Sequence, residues 1–555
     1  MPPASYLVPP SGAAAARGLA ARDAPRARLD ARSSTRPIRA FRPRRGAHRV
    51  RSSPGRPGPT VSATGSSADD SGDDSFGAAS KQAPPPLRIA VVGAGPCGLT
   101  TALALHHHGF EDVTVYDKFP EIKPALGAAF NLNGGASVLD KLGVLATFRE
   151  HNNPMRVVRT RRVGNDLLGQ TELMNIDIDS LIREDANARD SLISNTDGDA
   201  MCGTVMRCDL LRALGERVPR DWLRLGPQYE VVGAHKSATR IDERTKKRVP
   251  VSTLQFADGT YSAPYDLIVG CDGIKSKVRS AMFGPYESKS SGIRIVFGCT
   301  GDGEVTEACE GARPEVEHGE IHQWFGDGCY ALVYTAGGSL DKKQHNVAVC
   351  IADDDPDVDE NAEWRLSEGV RFDDGVNDAK AVTRDEKEPL DGVEKNARAR
   401  SAALAALRAY EMPKSVVTVA ENCDRFFDVG VRYHDPLSNW SDDLGVFCLA
   451  GDACHAMPPF LGQGANQALQ DAWVLAEQLA RARDDSAEEK TAALRRYEAI
   501  RKPPTTAIML SSRVIGFVET GSGLVAVARD AAFGVLGKLG IAGKIFLKNA
   551  VPTLE

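Results

Sequence analysis

Two glycine-rich turns set far apart constrain this chain more than any other feature. The first, Gly93-Ala-Gly-Pro-Cys-Gly98, follows a nearly continuous apolar run, Leu87-Arg-Ile-Ala-Val-Val92. Such a run suits a parallel strand buried on both faces. A helical pattern through Leu99, Ala102, Leu103 and Leu105 comes next, and Gly109 stands where a helix closes. A second strand, Val113-Thr-Val-Tyr116, then ends in Asp117. Gly93 permits the tight turn, Gly95 lets the backbone approach a pyrophosphate, and Gly98 lets helix and strand pack closely. Asp117 lies 24 residues after Gly93, where a carboxylate can take both hydroxyls of an adenosine ribose.

The second turn is Gly451-Asp-Ala-Cys-His-Ala-Met-Pro-Pro-Phe-Leu-Gly-Gln-Gly-Ala-Asn466. One glycine-rich turn says only that a dinucleotide pyrophosphate rests on a helix N-terminus. A second helix start, preceded by Gly-Asp and so distant in the chain, points to a cofactor held at both ends. FAD is long enough to need that.

Charge is unevenly distributed. Residues 1–60 hold thirteen Arg, no Lys, and only Asp23 and Asp30 as acids. Their balance of +11 against −6 for the whole chain leaves −17 for the remainder. Rich in Ala, Ser and Pro and lacking an apolar run, residues 1–62 read as an organelle transit peptide, for a plastid or alternatively a mitochondrion. A disordered nucleic-acid-binding arm is the rival. The acidic remainder argues against nucleic acid as a partner. Residues 63–86, mostly Ser, Gly, Asp, Ala and Pro, read as a disordered linker. Eleven Cys, odd in number and without a Cys-x-x-Cys, support neither a zinc site nor a disulfide framework.

Further along, Leu267–Cys271 reads as a buried strand emptying into the polar turn Asp272-Gly-Ile-Lys-Ser-Lys-Val-Arg279. Val205–Leu214 has apolar residues at helical spacing, with Arg207 near its start. On physical grounds alone Arg207 is either a phosphate partner or a surface charge. The ordered set of Gly93-x-Gly-x-x-Gly98, Arg207 with Leu210 and Leu214, Cys271-Asp-Gly-x-x-Ser-x-x-Arg279, Gly451-Asp-Ala-x-His and Gly462-Gln-Gly-Ala-Asn466 resembles the single-component FAD-dependent aromatic hydroxylases. That family includes the salicylate and para-hydroxybenzoate hydroxylases and the zeaxanthin epoxidases. The resemblance covers about residues 87–520. Its motifs are highly specific for fold and FAD, and weakly specific for substrate.

The resemblance implies an α/β fold in which a Rossmann-like FAD-binding domain is interleaved with a mostly antiparallel substrate sheet, followed by a helical C-terminal tail. The expected divisions are 87–284 for the first part of the FAD domain, with a substrate-domain insertion at about 155–205. They continue with 285–440 for the substrate domain, 441–502 for the second FAD part and 503–555 for the tail. Arg207 would contact the flavin side of the pyrophosphate. Asp272 would sit in the turn touching the pyrophosphate, and Asp452 would accept a hydrogen bond from the ribityl chain. Pro458 would line the flavin near its reactive edge, with Gly464 beside it as a second flavin-edge candidate. The amides of Ala465 and Asn466 would face the isoalloxazine N1/O2 edge. That last role has an independent mechanism. Gly462–Asn466 leads into a helical pattern through Leu469, Trp473, Leu475 and Leu479, and the amides at its start, with the positive dipole end, would stabilise negative charge on reduced flavin.

Ile293–Cys299, Ile321–Phe325, Tyr330–Tyr334 and Asn346–Ile351 supply strands for the substrate sheet. Trp324, Phe325, Tyr330 and Tyr334 either line a pocket or belong to the core. Residues 353–399 are very acidic and read as a surface excursion, with a helix beginning near Asn396. His106-His107-His108 reads as a solvated helix end rather than a metal site, His455 as a support for its turn, and Cys97 and Cys454 as small packing residues. The tail from Thr505 alternates apolar stretches with Gly and spaces Arg529, Lys538, Lys544 and Lys548 as a polar side. It either docks on the FAD domain or makes peripheral contact with a membrane.

The expected activity is that of an FAD-dependent monooxygenase. It would use NAD(P)H and O2 to hydroxylate or epoxidise an aromatic or isoprenoid molecule through a flavin C4a-hydroperoxide. A reductase or dehydrogenase of the geranylgeranyl-reductase kind is the alternative on the same fold. A non-catalytic prenyl-binding escort protein is the alternative of another class. The isolated Trp residues (222, 324, 364, 440 and 473) lack the Trp-x-Trp-x-Ile-Pro element of tryptophan halogenases. Substrate, oligomeric state and any general base are not legible.

Overall fold

The computed structural model describes residues 87–122, 129–164, 171–241, 246, 248–300, 319–337, 344–352, 392–484 and 486–555. The transit-peptide and linker expectations, and most of the acidic excursion, lie outside these residues.

Strand β1 (Ile89–Val92) is buried at every position and pairs in parallel with both β2 (Val113–Asp117) and β11 (Leu267–Gly270). With β8 (Leu223–Leu225) and β17 (Phe447–Leu449) they form a five-stranded parallel sheet, ordered β17-β11-β1-β2-β8. All-apolar strands of this kind require cover on both faces. Helices α1 (Pro96–His107), α2 (Arg207–Gly215) and α7 (Gly464–Ala480) pack around the same core. His106–His108 cap the end of α1, where their rings lie against Trp222 and Trp473. His106 and His107 are exposed, as expected of a solvated helix end, whereas His108 is half-buried.

A second, seven-stranded sheet has the order β16-β12-β15-β14-β13-β5-β6. Its members are β5 (Val157–Arg162), β6 (Thr171–Asp177), β12 (Lys289–Cys299), β13 (Glu320–Phe325), β14 (Cys329–Ala336), β15 (Gln344–Ala352) and β16 (Arg425–Tyr433). All pairs are antiparallel except β5 with β13. The chain leaves the first sheet to add β5 and β6, returns, and leaves again for the remainder. A three-stranded sheet, β3 (Ala129–Leu132), β7 (Gly203–Met206) and β4 (Asn152–Pro154), stands at that crossing. A hairpin of β9 (Val231–Ile241) and β10 (Arg248–Phe256) completes the strands.

Alternation along the second sheet decides which side chains are core. Trp324, Ala331 and Val333 turn towards helices α4 (Gly392–Ala409) and α5 (Lys414–Glu421) and are fully buried there. Tyr330, Leu332 and Tyr334 point the other way, towards a cavity between the two sheets.

The C-terminal region differs from the expected division at 502/503. One helix, α8 (Ala487–Glu519), runs through that boundary with Pro503 and Pro504 inside it. Helices α9 (Leu524–Lys538) and α10 (Ile541–Ala550) follow. The anchor is Arg501, fully buried near the middle of α8. It bonds Asp471 at 2.9 Å, the Gln467 amide oxygen at 2.6 Å and the Thr553 carbonyl at 2.7 Å.

Candidate active site

Three turns at the carboxyl ends of β1, β11 and β17 meet at a cavity of about 1350 Å³. In an open parallel sheet this is where ligands lie. The glycines of the first turn divide by role. Gly93 has φ +103°, and a Cβ there would come 2.5 Å from the Cys271 carbonyl. A Cβ on Gly98 would fall 1.8 Å from the Gly93 carbonyl oxygen, so helix and turn pack backbone to backbone. Gly95, at the N-cap of α1, has open space within 4 Å and lines the cavity. Asp117 accepts the Ala94 amide at 2.7 Å through Oδ2 and the Phe119 amide at 3.0 Å through Oδ1. Its carboxylate therefore ties the first turn, through Ala94, to the end of β2.

In the second turn, Asp272 Oδ2 accepts the Lys277 amide at 2.6 Å, at the start of helix α3 (Lys277–Phe283). Burial pushes its carboxyl above the ordinary value, against the hydrogen bonds from Ser276 and the Lys277 and Val278 amides. Behind it, His434 bridges Arg279 (3.0 Å) and the Ile274 carbonyl (2.6 Å). Burial lowers His434 to about 4, so the ring is neutral and accepts from the guanidinium while its other nitrogen donates. Arg279 also lies 4.4 Å over the Tyr286 ring.

The third turn opens with Gly451 at φ +61° and the short helix α6 (Asp452–His455). Asp452 projects into the cavity, where the surrounding protein raises its carboxyl above the usual range, opposed by His455 and Arg207. Arg207, at the first position of α2, lines the same wall. Burial lowers it and Asp452 offsets that shift. His455 bonds Asp471 at 2.5 Å, and Asp471 also accepts the Gly451 amide at 3.0 Å and pairs with Arg501. His455 is thus a support of the turn and faces away from the chemistry. Burial would raise Asp471, but the His455 and Arg501 charges hold it below the ordinary range. Cys454, raised by burial, and Cys97, raised by its bond to Cys271 and by burial, are protonated packing thiols.

At the start of α7, Gly462, Gly464 and Ala465 line the cavity, and nothing lies within 4 Å of a Cβ built on Gly464. The first intrahelical bond runs from the Gln467 amide to the Gln463 carbonyl at 2.9 Å, so the amides of residues 464–466 precede it. One assignment needs correction, and a second residue serves through its backbone amide alone. Pro458 is buried, and its carbonyl accepts the Ser512 hydroxyl at 2.6 Å; Met457 and Pro459 line the cavity in its place. Asn466 turns its side chain away. Its Oδ1 accepts the Asn133 (2.8 Å) and Gly135 (3.0 Å) amides, and its Nδ2 donates to the Asn131 carbonyl (2.8 Å). Both residues shape the loop through their own hydrogen bonds, which a motif does not display.

The far half of the cavity is largely apolar. Ile176, Ile295, Ile321, Leu332 and Val431 come from the second sheet, and Phe533, Leu536 and Phe546 from the tail. Trp324 and Phe325 are core, Phe325 lying under Phe533 and Arg529. Tyr330 and Tyr334 line the cavity. Sequence reasoning missed Glu519, a buried acid at the end of α8 that lines this half. Burial lifts its carboxyl to about 8, against a hydrogen bond from Tyr330 and the charge of Arg529. Its Oε2 has no hydrogen-bond partner among the described residues. No signal in the apolar-glycine pattern around it marks the position.

The family model described as "FAD binding domain" matches residues 87–370 and 414–512. This chain belongs to that family. The flavoenzyme is 28% identical over 434 residues to the 3-amino-4-hydroxybenzoate 2-monooxygenase PtmB3 of Streptomyces platensis, covering 77% of this chain and 87% of the relative. It is 25% identical over 399 residues to the 6-hydroxynicotinate 3-monooxygenase of Pseudomonas fluorescens, covering 70% and 81%. Its fold matches that of Klebsiella pneumoniae HpxO complexed with FAD and uric acid, with a TM-score of 0.60 at 20% identity, over 83% of this chain and 97% of the other.

FAD is the cofactor, and the cavity fits it. Gly95 and Gly464 leave open cradles in two separate loops, Arg207 lines the same cavity, and two helices start at its wall. The flavoenzyme is accordingly an FAD-dependent oxidoreductase of the aromatic-ring monooxygenase family.

Proposed function

We propose that this flavoenzyme uses NAD(P)H and O2 to insert one oxygen atom into an aromatic or isoprenoid molecule held in the apolar half of the cavity, and that it works in a plastid. The observation that carries the reading is the single cavity with nucleotide-binding turns at one end and an apolar, sheet-roofed chamber at the other. The named activities of the relatives, both ring monooxygenases, support it. The Arg-rich, acid-poor residues 1–62 support the compartment.

Bound FAD supplies the redox chemistry, accepting a hydride and activating O2. The chain does the remainder. Gly93–Gly98 and Arg207 hold the pyrophosphate. Asp117 braces the first turn for the adenosine, Asp272 the second for the pyrophosphate, and Asp452 takes the ribityl chain. The amides at 464–466 and the dipole of α7 favour negative charge at the flavin edge. The second sheet and the tail exclude water from the reacting end. Glu519, which lines the apolar half of the cavity with Tyr330 beside it, is placed to take or return a proton at a substrate hydroxyl.

The test is to purify the full chain, record its visible spectrum, and follow NAD(P)H oxidation with oxygen uptake across phenols, quinones and carotenoids. A yellow protein whose NAD(P)H use rises with one compound and yields an oxygenated product supports the reading. A product that is reduced or desaturated, without incorporated oxygen, replaces it with the reductase. A colourless protein that takes up no FAD would support the escort protein.

A further inference from the structure

Nine of the sixteen large apolar side chains left exposed among the described residues lie between Leu510 and Ile545. They form stripes. Leu510, Val514 and Phe517 share one face at the end of α8. Leu524 (88% exposed), Val527 (67%) and Val535 recur at helical spacing along α9, with Leu539 (65%) at its cap; Ile541 continues the surface on α10, and Ile545 there is half-exposed while also lining the cavity. The opposite face of the same helices is spoken for. Ala526 and Arg529 are buried, and Phe533, Leu536 and Phe546 line the cavity. Ordinary amphipathic packing thus accounts for the inner face and leaves the outer one apolar and bare.

The exposed charges carried by α9 and α10 have one sign. Lys538, Lys544 and Lys548 are exposed, and Lys538 falls within the α9 stripe, as Lys544 and Lys548 flank Ile541 and Ile545 on α10. The acid on these two helices, Asp530, is turned inward against Arg529 at 2.8 Å. In a chain of net charge −6 this is a local reversal. Lysines with long apolar stems at the border of an apolar stripe suit an interface where the stem is immersed and the ammonium meets an anion. No single described helix is long and apolar enough to cross a membrane; α8 and α9 meet at 115°.

We propose that α9 and α10, with the end of α8, dock flat on an anionic lipid bilayer, the apolar stripe entering the headgroup–acyl boundary and the three lysines pairing with lipid phosphates. The inner faces of the docked helices are a wall of the cavity, so docking sets the apolar half of the site beside the hydrocarbon. The substrate class then narrows to a molecule dissolved in lipid. That narrowing rests on the monooxygenase reading; the docking does not.

The experiment is co-sedimentation of the FAD-loaded full chain with vesicles of phosphatidylcholine alone and of phosphatidylcholine with phosphatidylglycerol. The expected result is binding to the mixed vesicles, weakened by salt. Binding should fall at least about tenfold in Lys538→Glu/Lys544→Glu/Lys548→Glu, and be lost in Leu524→Ser/Val527→Ser/Val535→Ser. The altered positions are exposed, so an unchanged flavin spectrum and melting temperature verify the fold. Wild-type protein that stays in the supernatant with both vesicles overturns the proposal, as does a serine variant that binds as well as wild type. A wild-type dimer dispersed by the serine substitutions, without vesicle binding, overturns it in favour of a second copy covering the patch. Turnover of a water-soluble aromatic by a protein that ignores vesicles would leave the proposed reaction standing and remove only the docking.

Discussion

Gly95 and Gly98 stand three residues apart in one turn, yet substitution should separate them. A side chain on Gly95 projects into open cavity, whereas one on Gly98 meets the Gly93 carbonyl oxygen at 1.8 Å. Gly95→Val should fold normally and elute without flavin, shown by a lost visible absorbance at unchanged melting temperature. Gly98→Ala should be destabilised by about 3 kcal/mol or more, read by urea denaturation, because the clash is with backbone that has no rotamer to change. Glu519 offers a pH test at the same scale. Its carboxyl stands at about 8 in the fold and about 4.3 unfolded. Between those values the folded state holds a proton that the unfolded state has lost. Its contribution therefore falls as pH rises through that window and levels off above it. Glu519→Gln should abolish this slope of at most roughly 1.4 kcal/mol per pH unit in the apoprotein, measured as denaturation midpoints across the window. If the ionised carboxylate accepts the substrate proton, wild-type kcat/KM should rise towards about pH 8 and the Gln variant should show no such rise.

At the scale of elements, helices α7 and α8 are joined through one buried charge network. Asp471 on α7 holds His455, the Gly451 amide and Arg501 of α8, so the third cofactor turn depends on a pair that is completely buried. Arg501→Met should cost about 3–5 kcal/mol, since it leaves Asp471 short of its guanidinium partner. It should also loosen FAD without altering any cavity-lining side chain; urea denaturation and flavin retention on dilution test both. An equally stable, fully flavinylated variant would show that the turn holds itself.

For the whole molecule, the cavity lies where turns of the first sheet, the roof of the second and the C-terminal helices converge, and these parts come from opposite ends of the chain. FAD held by the turns at Gly93–Gly98 and Gly462–Asn466 would tie distant segments together, so saturating FAD should raise the stability of the apoprotein by roughly 3–4 kcal/mol, measured as the melting shift on readdition. Much of this architecture is legible in order along the chain. The turn Gly93–Gly98, the strand before it and Asp117 fall within one β-α-β unit, so their spacing exposes them, although the carbonyl that crowds Gly93 belongs to the distant Cys271. The strands of the second sheet are similarly plain, because alternation and Gly/Asp punctuation are local properties.

What spacing could not show depends on contacts between distant segments. Pro458 and Pro459 are equivalent in a motif, and only the hydrogen bond from Ser512 buries one and leaves the other on the cavity. Asn466 and Ala465 are neighbours at a helix start, yet Asn466 is claimed by Asn131, Asn133 and Gly135. Glu519 becomes a cavity acid because β14 brings Tyr330 beside it and α9 brings Arg529. Local backbone demands leave a periodic or positional trace in the residues themselves, and these determined the cofactor and the two-sheet fold. Burial, charge shift and exposure are sums over neighbours that the chain supplies from afar, and only the folded molecule could decide them.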